Sequence, residues 1–185
     1  QPGKWTSGAG TEKVTYADRY ANGPNSPYEG SHVLEVWSDE VKAYEWRTVS
    51  RDFDQPLDLS DVNYLTFAAN CYGWQTEDYL IKVTLFSGED SYESIAQINP
   101  NSWSKVAVSV KDWALRDHVT KIEFAFMLNF DHGGLKPGDP GYEFWGGNYQ
   151  IDYLSGSNAI GMDFNVDGET EGFTAQGAEV DAAGG

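Results

Sequence analysis

The eleven residues AYEWRTVSRDF, at positions 43–53, decide the fold class because their side chains sort into two faces with a period of two. One face carries Tyr44, Trp46, Thr48 and Ser50, and the other carries Glu45, Arg47, Val49, Arg51 and Phe53. A period of two is the repeat of a β-strand, in which successive side chains point to opposite faces of a sheet. Aromatic and β-branched residues in such a run favour a strand within a sheet.

The same period recurs along the rest of the chain. It predicts further strands over residues 11–20, 32–37, 62–69, 79–86, 92–98, 105–110, 121–130 and 148–154. Turn-forming residues separate these runs, as in Ser87-Gly88-Glu89-Asp90, and no convincing amphipathic helix occurs between them. Many short strands punctuated by turns, without helices, predict an all-β chain folded as a sandwich of two antiparallel sheets.

The composition limits the classes of partner that the chain is expected to bind. It has 185 residues, 40% of them hydrophobic, and a formal net charge of −17. Nucleic acid and anionic membranes attract basic surfaces, so we expect neither as a partner. The single cysteine, Cys71, follows an apolar run, which predicts a buried thiol and excludes a disulfide within the chain.

A change in composition after Leu154 predicts the domain organisation. Residues 1–155 form one domain in this interpretation, and residues 156–185 form a linker followed by the first strand of a similar module. The interpretation rests on residues 172–180, which resemble residues 4–14 with a slip of two positions. The alternative is that the segment around Phe164 completes the present domain. The Gln-Pro-Gly start is consistent with a piece cut from a longer protein.

Aromatic residues are the strongest indication of function. The chain has 27 of them, including 7 Trp, and several lie beside Gly, Asn or Asp in long loops at 71–78 and 131–147. Exposed rings on a β scaffold suit a planar, amphipathic ligand such as a sugar ring. With neighbouring polar side chains they give these candidate ligand-binding residues: Trp46, Arg47, Tyr72, Trp74, Tyr92, Asn129, Asp131, His132, Tyr142 and Trp145.

Three locations for the ligand follow from these candidates. The first is a concave sheet face that includes Trp46 and Tyr92, and the second is a rim formed by residues 70–78 and 129–147. A cleft where the face and the rim meet is the favoured location, because long loops would wall it. No nucleophile elbow, metalloprotease helix, phosphate loop or dinucleotide fingerprint occurs in the sequence. The sequence therefore favours a non-catalytic domain.

Several short segments, in order, resemble the jelly-roll carbohydrate-binding modules of the galactose-binding-like superfamily. They are an early Trp5, the run Glu29 to Leu34, Leu57-Asp58-Leu59-Ser60, Trp103-Ser104-Lys105-Val106 and the closing Ile151-Asp152-Tyr153-Leu154. The resemblance implies a jelly-roll sandwich that binds a polysaccharide without cleaving it. It also implies a monomeric module of a secreted, multimodular enzyme that degrades glycans, alongside other modules of the same polypeptide.

The resemblance further implies a structural calcium ion near the closing strand. Its side-chain ligands would be Asp152, with Glu12, Glu29 and Ser31 nearby. A second calcium motif, Asp163-x-Asn165-x-Asp167-Gly168, is the first half of an EF-hand-type loop. Position twelve of that loop is Thr174 instead of an acid, so we do not expect a calcium ion there.

Two alternatives to polysaccharide binding stay open from the sequence. The chain could be a spacer or adhesive sandwich, in which case its loop aromatics would be buried and no sugar would be retained. It could also be a jelly-roll lyase or hydrolase, which would need two carboxyl groups about 5–10 Å apart in one cleft. No strand shows the closely alternating acids typical of β-sandwich glycanases.

Overall fold

The structure, a computed structural model, describes residues 28, 32–38, 43–71, 78–130, 147–156, 160–162, 174–176 and 179–184. Within these residues every regular element is a β-strand. The strands are β1 His32–Ser38, β2 Arg47–Leu57, β3 Tyr64–Cys71, β4 Tyr79–Ser87, β5 Asp90–Ile98, β6 Ser104–Ser109, β7 Val119–Leu128, β8 Gly147–Gly156, β9 Ile160–Met162, β10 Thr174–Gln176 and β11 Glu179–Gly184. The predicted all-β class is confirmed.

The strands form two antiparallel sheets. One sheet has the order β11-β1-β8-β3-β6, with β9 pairing with β8 outside this path, and we call it the six-stranded sheet. The other has the order β10-β2-β7-β4-β5, and we call it the five-stranded sheet. Chain connections pass between the sheets after β1, β2, β3, β5, β6, β7, β9 and β10, so the predicted sandwich of two antiparallel sheets is confirmed. The predicted strand at residues 11–20 lies outside the described residues.

The core lies between the sheets, where alternate residues of each strand are buried. On β4, for example, Ile81, Val83 and Leu85 are each at most 2% exposed, which matches the period read from the sequence. Phe67 of the six-stranded sheet meets Phe124 of the five-stranded sheet edge to face, with ring centroids 5.1 Å apart. Aromatic pairs of this kind contribute about 0.5–1.5 kcal/mol beyond the area that they bury. Cys71 is buried, as predicted.

The strand ends that flank the long segments 72–77 and 131–146 lie at one end of the sandwich. The register pairs Arg47 with Phe126 and Tyr79 with both Leu128 and Ile98, so β2 and β4 begin where β5 and β7 end. We call this end the loop end. The segments 72–77 and 131–146, where most of the candidate aromatics lie, start and finish here but are outside the described residues.

The C-terminal segment joins the same two sheets. β11 pairs with β1 from His32↔Gly184 to Trp37↔Glu179, β10 pairs with β2, and β9 pairs with β8. With these pairings, β1 and β2 do not offer unpaired backbone groups at the edges of their sheets. The predicted division at residue 155, like the alternative in which the segment completes this domain, stays a prediction. Whether a further module follows stays a prediction.

Within the described part of the chain, no helix is long and apolar enough to cross a membrane.

Candidate functional site

The outer face of the five-stranded sheet is the strongest candidate for a site. Its outward side chains alternate with the core residues, and register places them in rows across β2, β7 and β4. One row contains Thr48, Ala125 and Lys82, and the next contains Ser50, Glu123 and Thr84. Ala125 and Thr84, at the centre of the face, are both buried although they point away from the core, so neighbouring side chains cover them.

Trp46 and Lys82 meet above the central strand of this face. The Lys82 Nζ lies over the Trp46 ring, 4.5 Å from its centroid. Since Trp46 immediately precedes β2 and Lys82 is on β4, the two side chains reach across β7 to make this contact. The small side chain of Ala125, which is 0% exposed, leaves the space for it. Lys82 also lies 3.9 Å from the Glu93 carboxylate, which further positions its amine.

A second lysine–aromatic pair lies two rows away. The Lys121 Nζ is 4.8 Å from the centroid of the Phe86 ring, and it is also 3.7 Å from an oxygen of Glu123. The two pairs therefore flank the row Ser50–Glu123–Thr84, which we call the polar row. Cation–π contacts stabilise by about 0.5–1 kcal/mol at exposed sites, enough to hold the two rings in place at either side of the polar row.

Two exposed rings lie at the loop end, just before β2 and just after β7. Tyr44 is 57% exposed and Phe130 is 37% exposed. The Tyr44 N–H donates to the Leu128 carbonyl at 2.9 Å, which fixes the start of β2 beside the end of β7. Tyr44 has a φ of 65°, a conformation that is unfavourable for an aromatic residue. The fold thus presents a tyrosine to solvent at a cost in backbone energy.

The structure brings together some of the predicted ligand-binding residues and separates others. Trp46 and Asn129 both lie at the loop end, where the Asn129 N–H donates to the Asp78 carbonyl at 2.8 Å. Arg47 follows Trp46 and points to the opposite side of its strand, where its Nη1 donates to Glu45 at 3.3 Å. The guanidinium therefore does not share the face with the Trp46 ring.

Tyr92 is not on the face that carries Trp46. It lies on the same face of β5 as Ser94, Ala96 and the buried Ile98, so its ring packs against the core. The ring stacks on Trp113 with centroids 5.7 Å apart, and the hydroxyl donates to the Ser109 carbonyl at 2.9 Å. Trp46 and Tyr92 therefore do not share one sheet face, contrary to the prediction from the sequence. Trp46 lies on the outer face, and Tyr92 points toward the core.

The remaining predicted site residues lie outside the described residues. For the ligand these are Tyr72, Trp74, Asp131, His132, Tyr142 and Trp145, and for calcium they are Glu12, Glu29 and Ser31. Their contribution to the site stays a prediction.

Asp152, the predicted calcium ligand, points outward from β8 and is 0% exposed. Its Oδ1 accepts the Tyr153 N–H at 2.7 Å. On the same face Asn70 donates to Gln150, and Gln150 donates to the buried Glu35 at 3.2 Å. No group of three or more His, Cys, Asp or Glu side chains that could hold a metal occurs among the described residues. The calcium ion, and Asp152 as its ligand, stay predictions.

Sequence reasoning missed Lys82, Thr84, Phe86, Lys121 and Glu123 as residues of this face. The alternation of β4 indicated that the first three point away from the core. It did not indicate that β4 lies two strands from β2, because sheet order depends on pairing between distant segments. The sequence therefore indicated which side chains of each strand point outward, but not which strands lie next to each other in the sheet.

The electrostatics of the face differ from those of the whole chain. The chain has a net charge of −17, whereas the outward positions of the described sheet carry the two lysines Lys82 and Lys121 against Asp52, Glu93 and Glu123. Each lysine lies beside a glutamate, so the charges of the face nearly balance. Aromatic rings, hydroxyls and a carboxylate on a nearly neutral surface suit a neutral ligand that is rich in hydroxyl groups.

Comparison with known proteins gives no relative from which a function could be inherited. No protein-family model matches the chain, and no curated protein matches it significantly.

Proposed function

We propose that the protein binds a neutral polysaccharide without cleaving it, on the outer face of the five-stranded sheet at its loop end. The observation that carries this proposal is the Trp46 ring, which Lys82 contacts above β7, beside the polar row. A sugar ring offers an apolar patch of C–H groups to an aromatic face and hydroxyls to polar neighbours. The two kinds of surface that it requires lie next to each other here.

The polar row gives the ligand its hydrogen bonds. Ser50 carries a hydroxyl that both donates and accepts, and Glu123 carries a carboxylate that accepts from two hydroxyl groups, whereas the hydroxyl of Thr84 is buried. Hydrogen bonds to a charged acceptor are stronger than those between neutral groups. Because such bonds mostly replace bonds to water, we expect micromolar to millimolar affinity for a single site.

The biological role follows from this modest affinity. A domain that binds weakly raises the local concentration of a linked catalytic domain or of further copies, since linked sites act together. We therefore propose that the chain belongs to a secreted, multimodular, glycan-degrading enzyme and holds it on its substrate. The net charge of −17 argues for a neutral polymer over a polyanion, because like charges would oppose approach.

The proposal is tested by affinity electrophoresis in native gels that contain β-glucan, xylan, xyloglucan, mannan, pectin or xanthan. Retardation of the wild type by a neutral polymer is the expected result. Trp46→Ala should weaken binding about tenfold or more, since burying an aromatic ring against a ligand contributes about 1.5–3 kcal/mol. Leu115→Ala is the matched control, because Leu115 is a partly exposed apolar residue far from the loop end. Retardation that is unchanged in a folded Trp46→Ala variant would refute this location.

The hydrolase alternative has a defined test on the same face. Glu93 and Glu123 lie in one row on the two strands that flank β4, so their backbones are about 10 Å apart. That spacing is close to the range for paired carboxylates in glycoside hydrolysis. Release of reducing ends from any of the polymers, lost in Glu123→Gln, would replace the binding proposal with an enzymatic one.

A further inference from the structure

A β-bulge on the six-stranded sheet presents a tyrosine on the side of the molecule opposite to the proposed site. The register of β3 and β8 pairs Ala68 with Asp152 and Thr66 with Ser155. Two residues of β8 therefore oppose one residue of β3 between these pairs. Of the two, Leu154 enters the core, and Tyr153 is left pointing outward, 45% exposed. Bulges of this kind change the direction of a side chain and are frequent near functional sites.

The backbone at Tyr153 is strained, and its neighbours maintain the strain. Its φ is 54°, in the left-handed region that glycine or asparagine adopts at lower cost. The buried Asp152 accepts the Tyr153 N–H at 2.7 Å, and Leu154 is only 1% exposed, so both neighbours keep the bulge in place. A strained aromatic residue that buries only part of its ring is better explained by a ligand than by packing.

A second exposed tyrosine lies on the same face. Tyr64 of β3 is 52% exposed and points outward like Thr66, which is also exposed. Tyr153 lies opposite Phe67, three residues further along β3, so the two tyrosines are about 10 Å apart along the strands. We call the surface of Tyr64, Thr66, Ala107, Tyr153 and Ser155 the tyrosine platform.

The charge of the tyrosine platform contrasts with the charge of the chain. The chain has 29 acidic residues. Yet no Asp or Glu occurs among the exposed and half-exposed side chains that point outward from the described parts of β3, β6 and the end of β8. Lys105, the exposed cation of these positions, lies 5.5 Å from the centroid of the Tyr28 ring at the side of the platform. Uncharged, exposed side chains on the surface of a sheet suit contact with a flat, uncharged partner.

We propose that the tyrosine platform is a second carbohydrate site, one that takes the flat surface of an insoluble neutral polysaccharide. This inference rests on the proposed function. Two tyrosines spaced along a sheet would stack on two sugar rings of an extended chain, whereas the first site, which has the Trp46 ring beside the polar row, takes a single soluble chain. A second copy of the protein is the less favourable partner, because each copy carries a net charge of −17. The two sites lie on opposite faces of the sandwich and are therefore independent.

The test measures the fraction of protein that sediments with an insoluble neutral polysaccharide, beside affinity for the soluble polymer identified in gels. The double variant Tyr64→Ala/Tyr153→Ala should weaken binding to the insoluble polymer at least fivefold and change binding to the soluble polymer less than twofold. Tyr153→Phe should bind like wild type, because it keeps the ring. Ala107→Glu, which places a carboxylate beside Thr66 at an exposed position, should weaken insoluble binding without unfolding the domain.

Each outcome separates this inference from the proposed function. Soluble binding that Trp46→Ala removes, with insoluble binding unchanged in the tyrosine variants, overturns the tyrosine platform alone. No binding to either form of any polymer overturns both proposals. Dimerisation of the wild type that the double tyrosine variant abolishes would assign the platform to a second copy instead.

A stability measurement shows whether the bulge is formed as described. Tyr153→Gly should have a higher urea midpoint than Tyr153→Ala, because glycine adopts the positive φ without strain. Both variants should lose insoluble binding equally, since both lack the ring. The opposite order of midpoints would overturn the strained presentation of Tyr153.

Discussion

Replacing Gly156 by alanine tests whether the chain beyond residue 155 belongs to this domain. A Cβ at position 156 would lie 2.6 Å from Leu65 Cδ2 and 2.9 Å from Ile160 Cγ2. Both neighbours are buried members of the core, so neither can move away freely. Such overpacking costs about 1–3 kcal/mol. Alanine also lowers the conformational entropy of the unfolded chain, which offsets this cost by about 0.4–1 kcal/mol.

The net expectation is a loss of about 1–2 kcal/mol in the free energy of unfolding. For a domain of this size that loss lowers Tm by about 2–8 °C. Urea unfolding followed by fluorescence gives the free energy, and Gly161→Ala is the matched control, since a Cβ there meets nothing within 4 Å. We expect the control to be neutral or slightly stabilised. If both variants were equally stable, residues 156–162 would behave as a linker and the packing of Ile160 into the core would be refuted.

Three further predictions concern individual residues. Tyr92→Phe removes the hydrogen bond to the Ser109 carbonyl and should lower the free energy of unfolding by about 0.5–1.5 kcal/mol. The variant should keep full affinity for the polysaccharide in the gels, and a loss of affinity would show that Tyr92 contacts the ligand. Hydrogen bonds from the Ser60 hydroxyl and N–H lower the pKa of Asp58 from 3.8, so its stabilising effect is present above pH 3.8 and is lost as the pH falls through the lowered value. The difference in urea midpoint between wild type and Asp58→Asn should therefore shrink from pH 6 to pH 3, and a constant difference would contradict this origin. Calcium at one hundred times its Kd should raise the free energy of unfolding by about 2.7 kcal/mol if Asp152 is a ligand; a Tm that is the same in calcium and in EDTA would show that the predicted ion is not bound.

The strands could be predicted from the sequence because alternation is a local property. In β4 the residues Ile81, Val83 and Leu85 alternate with polar neighbours, and the structure buries those three. In β5 the hydrophobic pattern points the wrong way. The apolar Ile95 is 51% exposed, whereas the polar Ser94 lies on the inner face together with Tyr92. A strand at the sheet edge buries its inner face less completely, so composition alone did not reveal which way Tyr92 points.

The combination of side chains in the candidate site depends on sheet order, which the sequence does not reveal. The contact between Trp46 and Lys82 requires β7 to lie between β2 and β4, and that order results from pairing between segments far apart in the chain. The C-terminal segment shows the same limit. Its likeness to residues 4–14 gave no indication that its backbone pairs with β1 and β2.

The position of β8 in its sheet has a consequence for how the chain folds. β8 lies between β1 and β3, so the six-stranded sheet stays in two parts until residues 147–156 have joined them. Apart from the adjacent pairs β4–β5 and β8–β9, the described pairings join segments that are distant in sequence. Such a high contact order predicts refolding in milliseconds to seconds. It also means that a ribosome must release most of the chain before β8 can join β1 to β3 and complete the six-stranded sheet.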